Sequence, residues 1–201
     1  QPISVEAAFA GLRNVIPNSG KEATTYTGKE SEYSLLMKND KFWKREDMHV
    51  EHLTYQMPMR HRACTLRRFE LLNEGESLKD LFDRYLGEER EELQKERILP
   101  KKMFIKRNYR LILKEPSPTV TSHCLDEFVH PKYNRALTVR ECARLQSFPD
   151  SYDFCGGPYI VPHIDRCVQD KYEQIGDAVP PLLAYGWGNK ILEILRRIKN
   201  E

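Results

Sequence analysis

Three groups of side chains in this 201-residue chain could do chemistry on a charged ligand. Between Lys101 and Lys114 six cations (Lys101, Lys102, Lys106, Arg107, Arg110 and Lys114) follow one another with no acid between them, and Phe104 and Tyr109 lie among them. Such a segment suits a strand that contacts phosphates, and it equally suits a basic, solvated edge strand whose lysines discourage aggregation. The loop from Glu115 to Ser122 carries Pro116 and Pro118, so it must run extended. Its hydroxyls at Thr119, Thr121 and Ser122 could hydrogen-bond phosphates. Further on, Arg140 and Arg144 stand one helical turn apart on one face, where they could pair with internal carboxylates or approach phosphates. The five cysteines have wide spacings and no Cys-x-x-Cys pair, which points away from a zinc site or a disulfide framework and toward a reducing cytoplasm.

The elements that must position these groups follow from composition and periodicity. With 40% apolar and 31% charged residues the chain can bury one sizeable core and a smaller lobe. Its net charge of +2 means that any nucleic-acid site must be a local patch. No stretch is long and apolar enough to span a bilayer. The opening Ile3 to Leu12 predicts a short helix, and the polar run from Asn18 to Glu32 a long exposed connection. Ala63, Leu66, Phe69 and Leu72 recur by threes, and Leu78, Leu81, Phe82, Tyr85 and Leu86 follow helical spacing behind Ser77 as N-cap, with Asp80 three residues on. The charged run Glu88 to Arg97 predicts a solvated helix face.

Two later segments are more informative. In the segment 134–150, Thr138 and Glu141 have the spacing of a capping box, so a helix should start at Val139 and stop before Pro149. In the segment 173–184, Gly176 can supply a tight turn, and Pro180 and Pro181 stand where a helix would begin. That helix should run toward Ile198, with Leu183, Trp187, Ile191, Leu195 and Ile198 on one face and Arg196, Arg197 and Lys199 near its C-terminal dipole.

Residues 135 to 150 meet the pattern Arg-x-Leu-Thr-x-Arg-Glu-x-Ala-Arg-Leu-Gln-x-Phe-Pro-Asp, and 174 to 184 meet Gln-x-Gly-x-x-Val-Pro-Pro-x-Leu-Ala. In this order, about 35 residues apart, they resemble the last two conserved motifs of DNA cytosine-5 methyltransferases. Asn108-Tyr109-Arg110 and Pro116 to Thr121 are similar to the end of that family's target-recognition region, and Ile3 to Ala8 to the stretch after its catalytic half. Residues 15 to 100 match loosely.

The resemblance implies a mixed α/β chain: a small target-recognition lobe with short strands, and a C-terminal helix that packs on a Rossmann-like domain binding S-adenosylmethionine, largely outside this chain. It divides the chain into 1–50 (end of the catalytic domain and connection), 51–168 (target recognition) and 169–201 (motif and returning helix). Gly176, Asp177, Ala178 and Val179 would form one side of the cofactor pocket. Asp177 replaces the family's usual asparagine and lacks its amide donor. Arg135, Thr138, Arg140, Glu141 and Arg144 would organise the recognition lobe, and Arg107, Arg110, Thr119, Thr121 and Ser122 would contact DNA phosphates. The family's nucleophile is a cysteine after a proline, and neither a Pro-Cys dipeptide nor the glycine-rich cofactor loop occurs here, so none of the cysteines is read as catalytic. The chain begins at Gln1, which suggests a piece or subunit of a larger enzyme. Double-stranded DNA, and a catalytic domain or subunit, are the expected partners. A bacterial or phage restriction-modification system is the expected setting, in the cytoplasm at the nucleoid. A stand-alone DNA-binding regulator derived from such an enzyme is the second reading. A helix-turn-helix built on Val139 to Gln146 fails, because Pro149 and the glycine pair at 156 and 157 leave no place for a second recognition helix.

Overall fold

The computed structural model describes residues 2–44, 52–102, 107–160 and 168–199. Phe104, Ile105 and Lys106, part of the expected basic strand, lie outside them, as does Cys167. Within the described residues the chain forms ten helices and two very short strands. In chain order these are α1 (Val5–Phe9), α2 (Glu32–Met37), α3 (Asp40–Trp43), α4 (Ala63–Leu71), α5 (Leu78–Arg84), α6 (Gly87–Lys95), β1 (Tyr109–Arg110), α7 (Cys124–Glu127), β2 (Phe128–Val129), α8 (Val139–Leu145), α9 (Lys171–Gly176) and α10 (Pro181–Lys199).

Local chemistry explains most boundaries. Ser77 and Asp80 cap α5 reciprocally, as do Thr138 and Glu141 at α8 and Asp170 and Glu173 at α9, each pair satisfying donors that the first turn leaves open. The capping box of α2 is Ser31 with Ser34, a pairing that starts at the end of the Asn18–Glu32 run expected to be open connection. At the end of α8, Ser147 takes a left-handed conformation and Phe148 N–H reaches back to Ala143 O at 2.9 Å. That reversal throws Phe148 into the core and leaves the Ser147 hydroxyl to accept Leu182 N–H at 3.1 Å.

The strands are shorter than strand propensity suggests. β1 pairs in parallel with β2, Tyr109 opposite Phe128 and Arg110 opposite Val129, and one antiparallel bridge joins Val129 to Ala136. Asn108, immediately upstream, is left-handed, a conformation asparagine tolerates, and its side chain donates to Asp126 O at 2.9 Å. Downstream, Glu115 N–H folds back onto Ile112 O, so no longer ladder can form.

The main core collects Val5, Met59, Leu111, Leu137, Val139, Tyr172 and Ile175 among others, drawing on each third of the chain. A second cluster of Phe69, Leu72, Leu78, Leu81, Leu99 and Val129 joins α4 and α5 to β2. The charged α6 has no buried residue, and its Arg90 lies over the Phe82 ring. Among the described residues, no helix is long and apolar enough to cross a membrane.

His130, following β2, stacks on Phe9 at 5.5 Å and accepts the N–H groups of Lys132 and Tyr133 at Nδ1. Burial, aided by the charges of Arg135, Arg110 and Lys132 and opposed by Glu141, pushes its pKa from 6.5 down to about 3. The folded protein therefore holds it neutral while the unfolded chain binds a proton below 6.5, so stability falls as pH drops from 6.5 toward 3. In His130→Asn the acceptor survives and the titration does not. We expect its melting temperature to be flatter than wild type between pH 6.5 and 4.5, a difference of about 2–3 kcal/mol at the acid end. Parallel melting curves of the two proteins across that window would contradict the assignment.

Candidate functional site

Helix α8 is buried from Val139 to Arg144, including its charges: Arg140 and Arg144, with Arg135 just ahead of the helix, have 0% exposure. Charges can be buried only if paired and hydrogen-bonded. Arg135 grips Glu141 with two hydrogen bonds of 2.7 Å. Glu141 also accepts Thr138 N–H at 2.9 Å and the Gln56 amide at 3.1 Å. Burial alone would raise the Glu141 pKa, but the Arg135 charge and these donors outweigh it and hold the carboxyl down to about 2. Arg144 grips Asp150 at 2.5 and 2.6 Å and donates to Ala8 O at 3.0 Å. Arg140 is held by the carbonyl and hydroxyl oxygens of Thr54, at 3.1 and 2.8 Å, and by Pro149 O at 3.2 Å. Of the two roles the motif leaves open for Arg140 and Arg144, internal pairing is the one seen.

Thr54 and Gln56 complete this network, yet they belong to no motif. Gln56 accepts the Thr138 hydroxyl proton at 2.7 Å and donates to Arg13 O at 2.9 Å. A polar Gln56 among Leu53, Met57 and Met59 is the only local hint of its role.

The residues expected at phosphates divide. Arg110 does not face solvent and is corrected to a structural role. Its guanidinium donates to the carbonyls of Leu72 (3.0 Å), His130 (2.8 Å) and Phe69, and to the Asn134 side chain at 2.7 Å. Those acceptors lie at the ends of α4 and β2, so Arg110 ties them together from inside. Arg107 is exposed, 3.5 Å from the Asp126 carboxylate. With Thr119 and Thr121 it lines a hollow of about 320 Å³. Thr119 is exposed, whereas the Thr121 hydroxyl already donates to Glu127 at 2.8 Å. Ser122 Oγ lies 3.2 Å from His123 Nδ1.

The turn expected at the cofactor, Gly176 to Val179, touches this same loop. A Cβ on Gly176 would fall 2.1 Å from Ser122 N and from Thr121 C, so backbone packs directly on backbone. Crowding, and not a left-handed turn, is what requires glycine there. Asp177 N–H bonds to Glu173 O at 2.9 Å, and its exposed carboxylate accepts from Gln169 at 2.9 Å. Ala178 O accepts from Gln146, and Val179 is 65% exposed.

Beyond this turn α10 leaves the body. Leu182 packs near Ala8, Tyr33 and Met37, and Tyr185 meets Phe42 at 5.3 Å, but Leu183, Trp187, Ile191, Leu195 and Ile198 are 51–64% exposed. On the opposite side Glu193 pairs with Lys190 and Arg197.

The architecture is that of a DNA-modifying methyltransferase. A crystal structure described as a DNA modification methyltransferase encoded within an E. coli prophage aligns over 100% of this chain and 48% of its own, with a TM-score of 0.56 and 21% sequence identity, a likeness of fold. The chain belongs to the C-5 cytosine-specific DNA methylase family, whose profile matches residues 6–193. It is 37% identical to the type II methyltransferase M.DdeI of Desulfomicrobium norvegicum over 133 residues, covering 66% of this chain and 31% of that protein. It is 41% identical to the type II methyltransferase M.AquIB of Picosynechococcus over 93 residues, covering 46% of this chain and 67% of that one. DNA (cytosine-5)-methyltransferase 1A of rice is 48% identical over 66 residues, 33% of this chain and 4% of its own. The chain thus spans about a third of M.DdeI and far less of the plant enzyme.

Two outcomes are expected. Asp150→Ala should lose about 3–5 kcal/mol of stability by stranding Arg144, whereas Arg144→Met with Asp150→Leu should lose much less, as read by denaturant unfolding. Gly176→Ala should destabilise by at least about 1–3 kcal/mol, because the added methyl meets main chain that cannot rotate away. A wild-type melting curve for either Asp150→Ala or Gly176→Ala would contradict the packing described.

Proposed function

We propose that this chain is the DNA-recognition part of a DNA (cytosine-5-)-methyltransferase, one that transfers a methyl group from S-adenosylmethionine to C5 of cytosine in duplex DNA within a restriction-modification system. The observation that carries this reading is α10: a continuous apolar stripe from Leu183 to Ile198, half or more exposed over five large side chains. Covering it would recover on the order of 1 kcal/mol per side chain, since each is already partly shielded. The occupant that fits is a catalytic domain or subunit carrying the Pro-Cys nucleophile and the glycine-rich loop, neither of which occurs in these 201 residues. By itself the chain then transfers no methyl group.

In this reading residues 51–168 face DNA. Arg107 and Thr119, with the Thr121–Ser122 loop, hold phosphates, which sets register without reading sequence. The buried ion pairs of Arg135, Glu141, Arg144 and Asp150, with Arg140, keep that surface in place. Bound S-adenosylmethionine supplies the methyl group. The turn suits one edge of its pocket: the Asp177 carboxylate is an acceptor for ribose hydroxyl or ammonium donors, and the exposed Val179 side chain offers an apolar surface. Asp177 and Ala178 N–H groups are already bonded to Glu173 and Ile175, so the turn offers side chains and not those amides.

Mixing the chain with a partner that carries both missing motifs, and following incorporation of labelled methyl groups into DNA, tests this. The chain alone should give none, the mixture should give activity, and Trp187→Asp with Ile191→Asp should abolish both association and activity. A chain that stays monomeric beside such a partner, and binds DNA without it, would favour the stand-alone regulator.

A further inference from the structure

Arg60, His61 and Arg62 lead into α4, Arg62 in extended backbone with φ −69° and ψ 153°. Successive side chains in such a segment point to opposite sides. His61 turns inward: its Nε2 accepts Ala136 N–H at 3.2 Å and its ring meets Phe69 edge-on at 5.2 Å. Arg60 and Arg62 therefore point outward together. Both are exposed, and neither side chain has a partner among the described residues.

They form one rim of a cleft of about 430 Å³. Its wall carries Arg68, which donates to Asn108 Oδ1 at 3.1 Å and to the carbonyls of Arg97 and Ile98, all of them neutral acceptors. Across from them is Arg107, paired with Asp126, the one carboxylate in the lining. Four guanidinium groups against one carboxylate leave an excess of positive charge. Arg68 is hydrogen-bonded but carries no carboxylate partner among the described residues, so its charge adds to that of the cleft. Arg107 also lines the smaller hollow with Thr119 and Thr121, so one side chain borders both depressions.

We propose that the cleft of Arg60, Arg62, Arg68 and Arg107 is a second phosphate clamp, gripping the DNA backbone on the side of Arg107 away from Thr119 and Thr121. It rests on the DNA-recognition reading and extends it to residues that no motif marks. A polyanion suits a cleft lined by four guanidinium groups, since it can offer each of them a separate phosphate.

The test is the salt dependence of binding to short mixed-sequence duplexes by the full chain, alone and with its catalytic partner, between ~50 and ~200 mM salt. Arg60→Gln with Arg62→Gln should lower the log–log slope by about 2, since each phosphate contact contributes about 0.9, and should weaken binding about equally on every duplex. Both side chains are exposed, so the melting temperature should not move. Arg67→Gln, on α4 but paired with Glu70 and outside the cleft, should leave the slope unchanged. An unchanged slope in the double variant, while Arg107→Gln weakens binding, would overturn the clamp and leave the DNA reading intact. A loss confined to one duplex sequence would overturn it too, by making these arginines readers of bases. Absence of duplex binding by the wild-type chain under both conditions would remove the DNA reading itself, and the clamp with it.

Discussion

Burial of three guanidinium groups along and beside one short helix is the constraint on which this structure turns. Arg135, Arg140 and Arg144 could stay charged inside the protein only if acceptors were brought to them, and the chain brings these from distant places. Asp150 and Glu141 are local, whereas Thr54, Gln56 and Ala8 are not. The polar network thus does the work often left to apolar packing: it specifies which loops meet. Uncompensated buried charge is costly, so a misplaced 53–56 segment would strand Arg140 and part of the Glu141 pairing together. Tyr33, whose hydroxyl donates to Arg144 O at 2.6 Å, draws α2 into the same assembly.

How much of this was legible follows the range of each interaction. Capping pairs such as Ser77 with Asp80 and Thr138 with Glu141 lie three residues apart, so their helices could be placed from the residues themselves. The identity of α10 as a one-faced helix was legible for the same reason. Arg110 was not: residue type announces its charge but not its direction, and the carbonyls of Phe69 and Leu72 that hold it are some 40 residues away. Helices α2 and α3 were hidden because serine and asparagine, which read as loop formers, are here serving as N-caps. Gly176 was legible as necessary, though for another reason, since only coordinates reveal the Thr121–Ser122 peptide lying against it. The family motifs marked the buried network around α8 and the turn before α10. The cationic rim at Arg60 and Arg62 escaped them because it depends on one inward-turned histidine.

The net charge of +2 illustrates the same limit. A sum over the chain counts Arg110, Arg135, Arg140 and Arg144 as cations available to a ligand, although each is enclosed by acceptors. The guanidinium groups left to solvent are a smaller set, Arg60, Arg62 and Arg107 among them. Local exposure decides the electrostatics here, and composition alone conceals it.

The contact at Gly176 has a consequence of a different sort. Because the turn and the loop meet through main chain, the contact itself does not depend on the Ser122 side chain. Ser122 could be exchanged while the seam beneath it stays the same, whereas Thr121 also holds Glu127. Such a seam lets the surface of the loop vary over one unchanged frame.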